Sequence, residues 1–288
     1  MDLKGRIIKS VGGIYEVETA DGNYQCKARG VFRSKGISPY TGDFVRISAE
    51  ENAEPIIEEI FPRKNELIRP PMANLDAVVL VISACEPLPN AYVIDKLIAV
   101  FESKDIETIL VFTKQDKSDS GELAEIYEAL GYRCFKVDNV TASGTEEVKR
   151  YINGKVTALI GNSGVGKSSL INCIFPELSR ETGEISKKLG RGRHTTREVT
   201  LYPFGEGYIA DTPGFSTVEV NRYIDIPKEE LKHCFREFEK AECRFSNCVH
   251  LKEAGCEIRE RLSEGKIAKS RYESYERLYG ELLANERY

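Results

Sequence analysis

The sequence predicts a multi-domain chain: an all-β barrel, a central α/β domain with a mostly parallel sheet, and a mainly helical C-terminal part that holds a metal. Three observations predict it. Five short alternating runs crowd into the first 65 residues, continuous apolar strands alternate with helical stretches through the middle of the chain, and three of the eight cysteines sit with a histidine between residues 243 and 256. A length of 288 residues leaves room for two or three domains of the usual size, about 100 to 200 residues each.

In the first element, "GRIIKS", "IYEVET", "YQCKAR", "DFVRIS" and "PIIEEI" are separated by Gly-Gly, Asp-Gly-Asn and Thr-Gly-Asp. Short alternating runs with turn residues between them are hairpin-linked strands. Small barrels of this kind often bind single-stranded nucleic acid through basic and aromatic side chains, and Lys27, Arg29, Phe32, Arg33 and Lys35 supply both. With no acidic or metal-binding constellation, this unit is expected to bind and not to catalyse.

"RPP" at 69 to 71 punctuates the chain. Beyond it come "LDAVVLVIS", a helix near 90 to 104, "ETILVFT", a helix near 119 to 130, "YRCFKV", a helix near 144 to 152, and "KVTALIG". Strands apolar at every position are buried on both faces, so the sheet is parallel and covered on each side. The last strand runs into Gly161-x4-Gly166-Lys167-Ser168 and the helix "KSSLINCIF", which is the context a phosphate loop requires. Backbone N–H groups of Asn162, Ser163, Gly164, Val165, Gly166 and Lys167 would surround phosphates at the positive end of the helix dipole, with the loop running to Ser169. Lys167 would bridge the β and γ phosphates and the Ser168 hydroxyl would bind Mg2+.

Thr113-Lys114-Gln115-Asp116 follows a buried strand and answers which base is held. A carboxylate accepts two hydrogen bonds, matching the N1 and N2 donors of guanine, whereas adenine offers no such pair. The Lys114 stem would lie along the base. In "YIADTPG", Asp211 ends a strand and would hold Mg2+ through water, while the Gly214 N–H would meet the γ-phosphate. Between loop and strand, "GRGRHTTRE" offers Thr195 or Thr196 to complete the metal shell, Thr196 being preferred. These are the parts of a GTPase in rotated order.

The C-terminal part is charged and helical, and "IAKSRYESYERLYGELL" places Ile267, Arg271, Tyr272, Tyr275, Leu278, Tyr279 and Leu282 on one packing stripe. Cys243-x4-Cys248-x-His250-x5-Cys256 carries three thiolates and an imidazole at short spacings, the donor set of a closed tetrahedral structural Zn2+ site. His233 and Cys234, just upstream, are the competing donors.

Composition excludes other classes. The net charge of -5 argues against an all-over nucleic-acid binder, yet Met1 to Arg46 carries eight Lys/Arg against five Asp/Glu, and Arg180 to Arg197 six against two. No apolar run approaches the roughly 18 residues of a membrane span, and "MDLKGRIIKS" has no apolar signal core, so a cytoplasmic protein is expected.

With "PPMANLDAVVLVISACEP", the permuted motif order, "GRGRHTT", "DTPGF" and the cysteine-histidine cluster, the sequence resembles the circularly permuted GTPases that assist small ribosomal subunit assembly, the RsgA/YjeQ family. The resemblance covers nearly the whole chain. It implies an OB-fold over 1–65, a permuted GTPase domain over 66–222 and a zinc domain over 223–288. It also implies a cytoplasmic, monomeric enzyme whose GTP hydrolysis is coupled to the small subunit and its rRNA. Two departures stand out: Thr113 replaces the usual Asn and loses an amide that can tie base loop to phosphate loop, predicting a modest guanine affinity, and Asp138-Asn139 occupies the place of a Ser-Ala near guanine O6, with its role left open. Phe215 stands where a glutamine often positions the attacking water, so intrinsic hydrolysis should be slow, and His194 beside the switch threonines is the candidate in its stead. The competing reading is a zinc-containing RNA-binding scaffold that binds guanine nucleotide with negligible turnover.

Overall fold

The computed structural model describes residues 2–34, 36–50, 53–176, 199–211 and 224–285. The first five runs form β1 (Asp2–Val11), β2 (Ile14–Thr19), β3 (Gly22–Ala28), β4 (Phe44–Ser48) and β5 (Ile56–Ile60), with α1 (Gly30–Ser34) between β3 and β4. Their order is β1-β2-β3-β5-β4, and β4 pairs back to β1, closing a five-stranded barrel. Closure removes the sheet edges, and the inward residues Ile7, Val17, Cys26, Val45, Ile47 and Ile57 fill the interior. A Cβ on Gly5 would lie 2.4 Å from Glu18 O, so β1 and β2 meet there at a distance only glycine permits.

After a short pairing of β6 (Glu66–Leu67) with β7 (Met72–Ala73), the α/β unit runs through ten elements among the described residues. These are β8 (Ala77–Ser83), α2 (Ala91–Glu102), β9 (Glu107–Thr113), α3 (Gly121–Ala129), β10 (Arg133–Lys136), α4 (Thr145–Ile152), β11 (Val156–Ile160), α5 (Lys167–Ile174), β12 (Thr200–Phe204) and β13 (Gly207–Asp211) with the turn between the last two. The order is β10-β9-β8-β11-β13-β12, the first five parallel and β12 antiparallel to β13. The apolar runs divide by parity, as a two-faced sheet requires. On β8, Val78, Leu80 and Ile82 pack toward α2, α3 and the C-terminal part, while Ala77, Val79 and Val81 pack toward α4 and α5. β12 also bridges β1 at Lys9 and Thr200, so one sheet continues from barrel into α/β unit.

The expected C-terminal helices are α6 (Glu257–Ser263) and α7 (Lys269–Asn285); residues 224–256 hold short 3-10 turns at Leu231–Cys234 and Arg236–Phe238. Of the predicted stripe, Ile267 is buried just ahead of α7, Arg271, Tyr272, Tyr275, Leu278 and Leu282 are buried on it, and Tyr279 is half-buried; one of the buried residues is a charge. Arg271 reaches Asp95 on α2 at 2.6 Å and Glu237 at 2.7 Å, and Tyr127 of α3 donates to the same Asp95 oxygen at 2.8 Å. Lys96–Glu281 and Arg236–Glu102 pairs flank it. Burying an arginine demands such partners, and they lock the C-terminal part to α2 and α3. Among the described residues, no helix is long and apolar enough to cross a membrane.

Candidate nucleotide site and metal knuckle

In an open parallel sheet, loops at the carboxyl ends of the strands form the ligand crevice where the chain reverses direction across the sheet. Here β8, β9 and β10 spread to one side and β11 returns to the other side of β8. The predicted base reader follows β9, the Asp138-Asn139 turn follows β10, the phosphate loop follows β11, and Asp211 ends β13. All four are therefore at one edge, although 98 residues separate Thr113 from Asp211 in sequence.

Within the loop, Gly164 and Gly166 have φ of 80° and 100°, a region that L side chains rarely adopt. Gly161 is packed so closely that a Cβ would meet Val81 O at 2.5 Å. Lys167 is 9 % exposed and its ammonium donates to Gly161 O at 2.6 Å and Asn162 O at 2.8 Å, curling back over the loop it begins from. Val165 is buried against the α4/α5 side of the core, whereas Ser163, Ser168 and Ser169 are exposed. The first α5 bond described runs from Leu170 N–H to Gly166 O, and the N–H groups of a first helical turn have no acceptor inside the helix.

The base reader is tied to that loop. The Thr113 hydroxyl lies 2.5 Å from Val165 O and 3.2 Å from Ile82 O, and its single proton serves the nearer carbonyl. Lys114, at φ 61°, donates to Gly164 O at 2.8 Å and to Glu86 O. Gln115 donates to Ser120 Oγ at 2.9 Å, bracing the turn, and Asp116 is exposed. Thr113 lacks the amide of the usual Asn, but the hydroxyl on its shorter side chain still reaches the Val165 carbonyl. Asn139 adds an amide 3.2 Å from Gly166 O, a contact the sequence does not disclose. Asp138 instead closes its own turn, accepting from the Val140 N–H at 2.7 Å and the Thr141 hydroxyl at 2.5 Å, which hold its carboxyl below the usual range.

His194, Thr195, Thr196, Gly214, Phe215 and the basic run from Arg180 to Arg197 lie outside the described residues, as does the side chain of Asp211. So do Lys35 and the side chain of Arg33. On the barrel, Phe32 faces the interior and its ring is not available to a base. Lys27 pairs with Glu54 and Arg29 with Glu58, each at 2.6 Å. A cation set against rings lies elsewhere: the half-buried Arg6 is 4.4 Å from the exposed Phe44 ring and 4.9 Å from the Tyr208 ring, where barrel meets α/β unit. Its signal, an arginine two strands away from a phenylalanine in sequence, has no local pattern.

Four donors converge in the C-terminal part. Cys243 Sγ and Cys256 Sγ each lie 3.5 Å from His250 Nδ1 and 4.0 Å from each other, and all four donor atoms, Cys248 Sγ included, fall within 4.8 Å of one another. Bonds of about 2.3 Å to sulfur and about 2.0 to 2.1 Å to nitrogen give a tetrahedron edges of roughly 3.5 to 3.8 Å, so the cluster can hold a metal ion. Cys234 is not among them; its thiol points to Glu230 O at 3.6 Å in the apolar core. Burial keeps the His250 imidazole below its ordinary pKa, hence neutral and able to ligate, and pushes the Cys248 thiol up to about 12. A cation supplies the countercharge that makes the thiolates favourable. The backbone around His250, at φ 62°, is pinned from outside. The Tyr272 and Tyr275 hydroxyls donate to the His250 and Val249 carbonyls at 2.6 and 2.7 Å, and the Glu253 carboxylate accepts three N–H groups of this turn at 2.9 Å.

The family description "RsgA GTPase" matches residues 60–221, and "RsgA N-terminal domain" matches residues 4–57. A protein of Caldanaerobacter subterraneus subsp. tengcongensis named "Small ribosomal subunit biogenesis GTPase RsgA" is 43% identical, over 99% of this chain and 97% of its own. Another of that name, from Halalkalibacterium halodurans, is 42% identical over 94% of each chain. The crystal structure of YjeQ from Thermotoga maritima superimposes with a TM-score of 0.81 at 38% identity, covering 98% of this chain and 99% of that one. That of YloQ, described as a circularly permuted GTPase, does so with a TM-score of 0.78 at 33% identity, covering 99% and 96%. With a closed barrel ahead of a parallel sheet whose phosphate loop follows its base reader, this chain belongs to the RsgA family of circularly permuted GTPases.

Proposed function

We infer that the protein hydrolyses GTP in the course of small ribosomal subunit assembly, binding the subunit through rRNA and releasing GDP and phosphate. The observation that carries this reading is the convergence of base reader, phosphate loop and Asp211 at one edge of the sheet, with Thr113 and Lys114 tying the first two together. A GTPase of small ribosomal subunit biogenesis is what the names of relatives 40 to 43% identical print.

In this reading Asp116 accepts from guanine N1 and N2, Lys114 lies along the base, and the backbone from Gly161 to Ser169 cradles the phosphates. Lys167 exchanges its two loop carbonyls for β and γ phosphate oxygens. Ser168 and Thr196 are the protein ligands of Mg2+, which neutralises developing phosphate charge when bound; Asp211 and Gly214 read the γ-phosphate side. His194 orients the attacking water, since Phe215 offers no polar group. The Cys243, Cys248, His250 and Cys256 site holds one zinc in a structural role, because four protein ligands leave no position for water. The proposed domains are 1–65, 66–222 and 223–288, in a monomeric cytoplasmic protein.

Single-turnover GTP hydrolysis with and without small ribosomal subunits tests the reading. Turnover should be slow alone and accelerated by subunits, the acceleration weakening as salt rises because phosphate contacts are screened. His194→Ala should keep GTP binding and lose most of the stimulated rate. Equal rates with and without subunits would overturn the proposed coupling.

A further inference from the structure

Asn139 stands in the turn after β10, and the roles assigned above do not use it. Its amide nitrogen is 3.2 Å from Gly166 O, while the Thr113 hydroxyl is 2.5 Å from Val165 O. Two consecutive carbonyls of the phosphate loop are thus held by side chains from two different loops on the base side. In a trans peptide the N–H points opposite to the C=O, so fixing these carbonyls aims the Gly166 and Lys167 N–H groups away from the base loops and into the cradle. The fit is close: a Cβ on Gly166 would meet Asn139 Nδ2 at 3.0 Å and Thr113 Oγ1 at 3.4 Å.

The placement of Asn139 is itself built. Asp138 closes the turn beside it, and the Cys173 thiol of α5 donates to the Asn139 carbonyl at 3.4 Å. Among the described residues, the buried Asn139 Oδ1 has no hydrogen-bond partner. A side chain that only packed this turn would not need to strand a buried acceptor, which is costly to leave unpaired. What the residue gains for that cost is the donor side of the amide on Gly166.

We propose that Asn139 is a positioning residue for guanine nucleotide binding. With Thr113 it supplies, from two loops, the brace on the phosphate loop that one amide at position 113 would otherwise give. The inference rests on the nucleotide reading above.

Titration of fluorescent GDP tests it on the full chain in four forms: wild type, Asn139→Ala, the isosteric Asn139→Asp, and Asn139→Ala combined with Thr113→Asn. Each single variant should bind GDP and GTP about 3- to 10-fold more weakly, the worth of one hydrogen bond. The GTP-over-ATP ratio should stay at its wild-type value, because Asp116 is untouched. Thr113→Asn should recover most of the loss, which a merely structural role for Asn139 would not allow. Wild-type GDP affinity in both single variants, or a loss that Thr113→Asn does not recover, overturns the proposal. A wild-type protein that binds no guanine nucleotide overturns the reading of the site and this inference with it.

Discussion

The metal knuckle and the phosphate loop satisfy their polar groups in opposite ways. In the loop, Lys167 and Lys114 donate to the loop's own carbonyls, so its charges have partners before any phosphate arrives. In the knuckle, three thiols and an imidazole converge on one another, and burial together with the neighbouring Cys256 and Cys243 thiols drives the Cys248 thiol up to about 12. Donors gathered at that density are stable as a group only around a cation. The difference separates a cluster whose donors call for a cation to complete them from a loop whose cations already have partners, which a phosphate would replace. Binding and release of such a ligand need not cost the surrounding fold its integrity.

Breaking the knuckle should give the largest effect. Chelation of the metal, or Cys248→Ser, should remove about one bound metal per chain and melt the C-terminal part, since structural zinc contributes on the order of 10 kcal/mol in small metal domains. Metal analysis and a thermal melt check this; an unchanged profile in Cys248→Ser would take that residue out of the site. Removing nucleotide from the same protein should shift the melt only by the mass-action term, about 2.7 kcal/mol at a hundredfold excess over Kd.

Next comes the dock that joins knuckle to α/β unit. Arg271→Ala leaves Asp95 and Glu237 buried without their cation and should destabilise by about 3 to 5 kcal/mol, read by denaturant unfolding. A loss confined to the C-terminal part would show that the knuckle folds by its dock as much as by its metal. On the loop side, Asp116→Asn should leave stability unchanged and erase most of a GTP-over-ATP preference of at least about a hundredfold. Competition binding measures it, and equal affinities in the wild type would sink the guanine assignment. The smallest effect belongs to Tyr272→Phe, which removes one donor to the His250 carbonyl and should cost about 1 kcal/mol with metal content intact.

Much of this was legible in one dimension. The barrel strands, the apolar strands of the sheet and the order of the nucleotide motifs follow from alternation, run length and residue spacing, which are local properties of the chain. The four knuckle residues belong here too, because their spacing within 14 residues already limits how far apart their donors can be. By contrast, the exposed ring was misjudged: Phe32 lies beside Lys27 and Arg29 in a basic stretch, but α1 turns it into the barrel, and Phe44 with Arg6 faces outward.

The sequence by itself thus determined the three-part architecture, the permuted motif order and the metal donor set. Only the tertiary structure decided which distant groups meet: Asn139 on Gly166, 27 residues away, Thr113 on Val165, 52 away, and Arg271 on Asp95, 176 away. The physical reason is that a motif is a pattern of neighbours in the chain, whereas a brace between loops depends on strand order. Placing β9 and β11 on either side of β8 brings their carboxyl-end loops within reach of each other, and no spacing in the sequence encodes that adjacency.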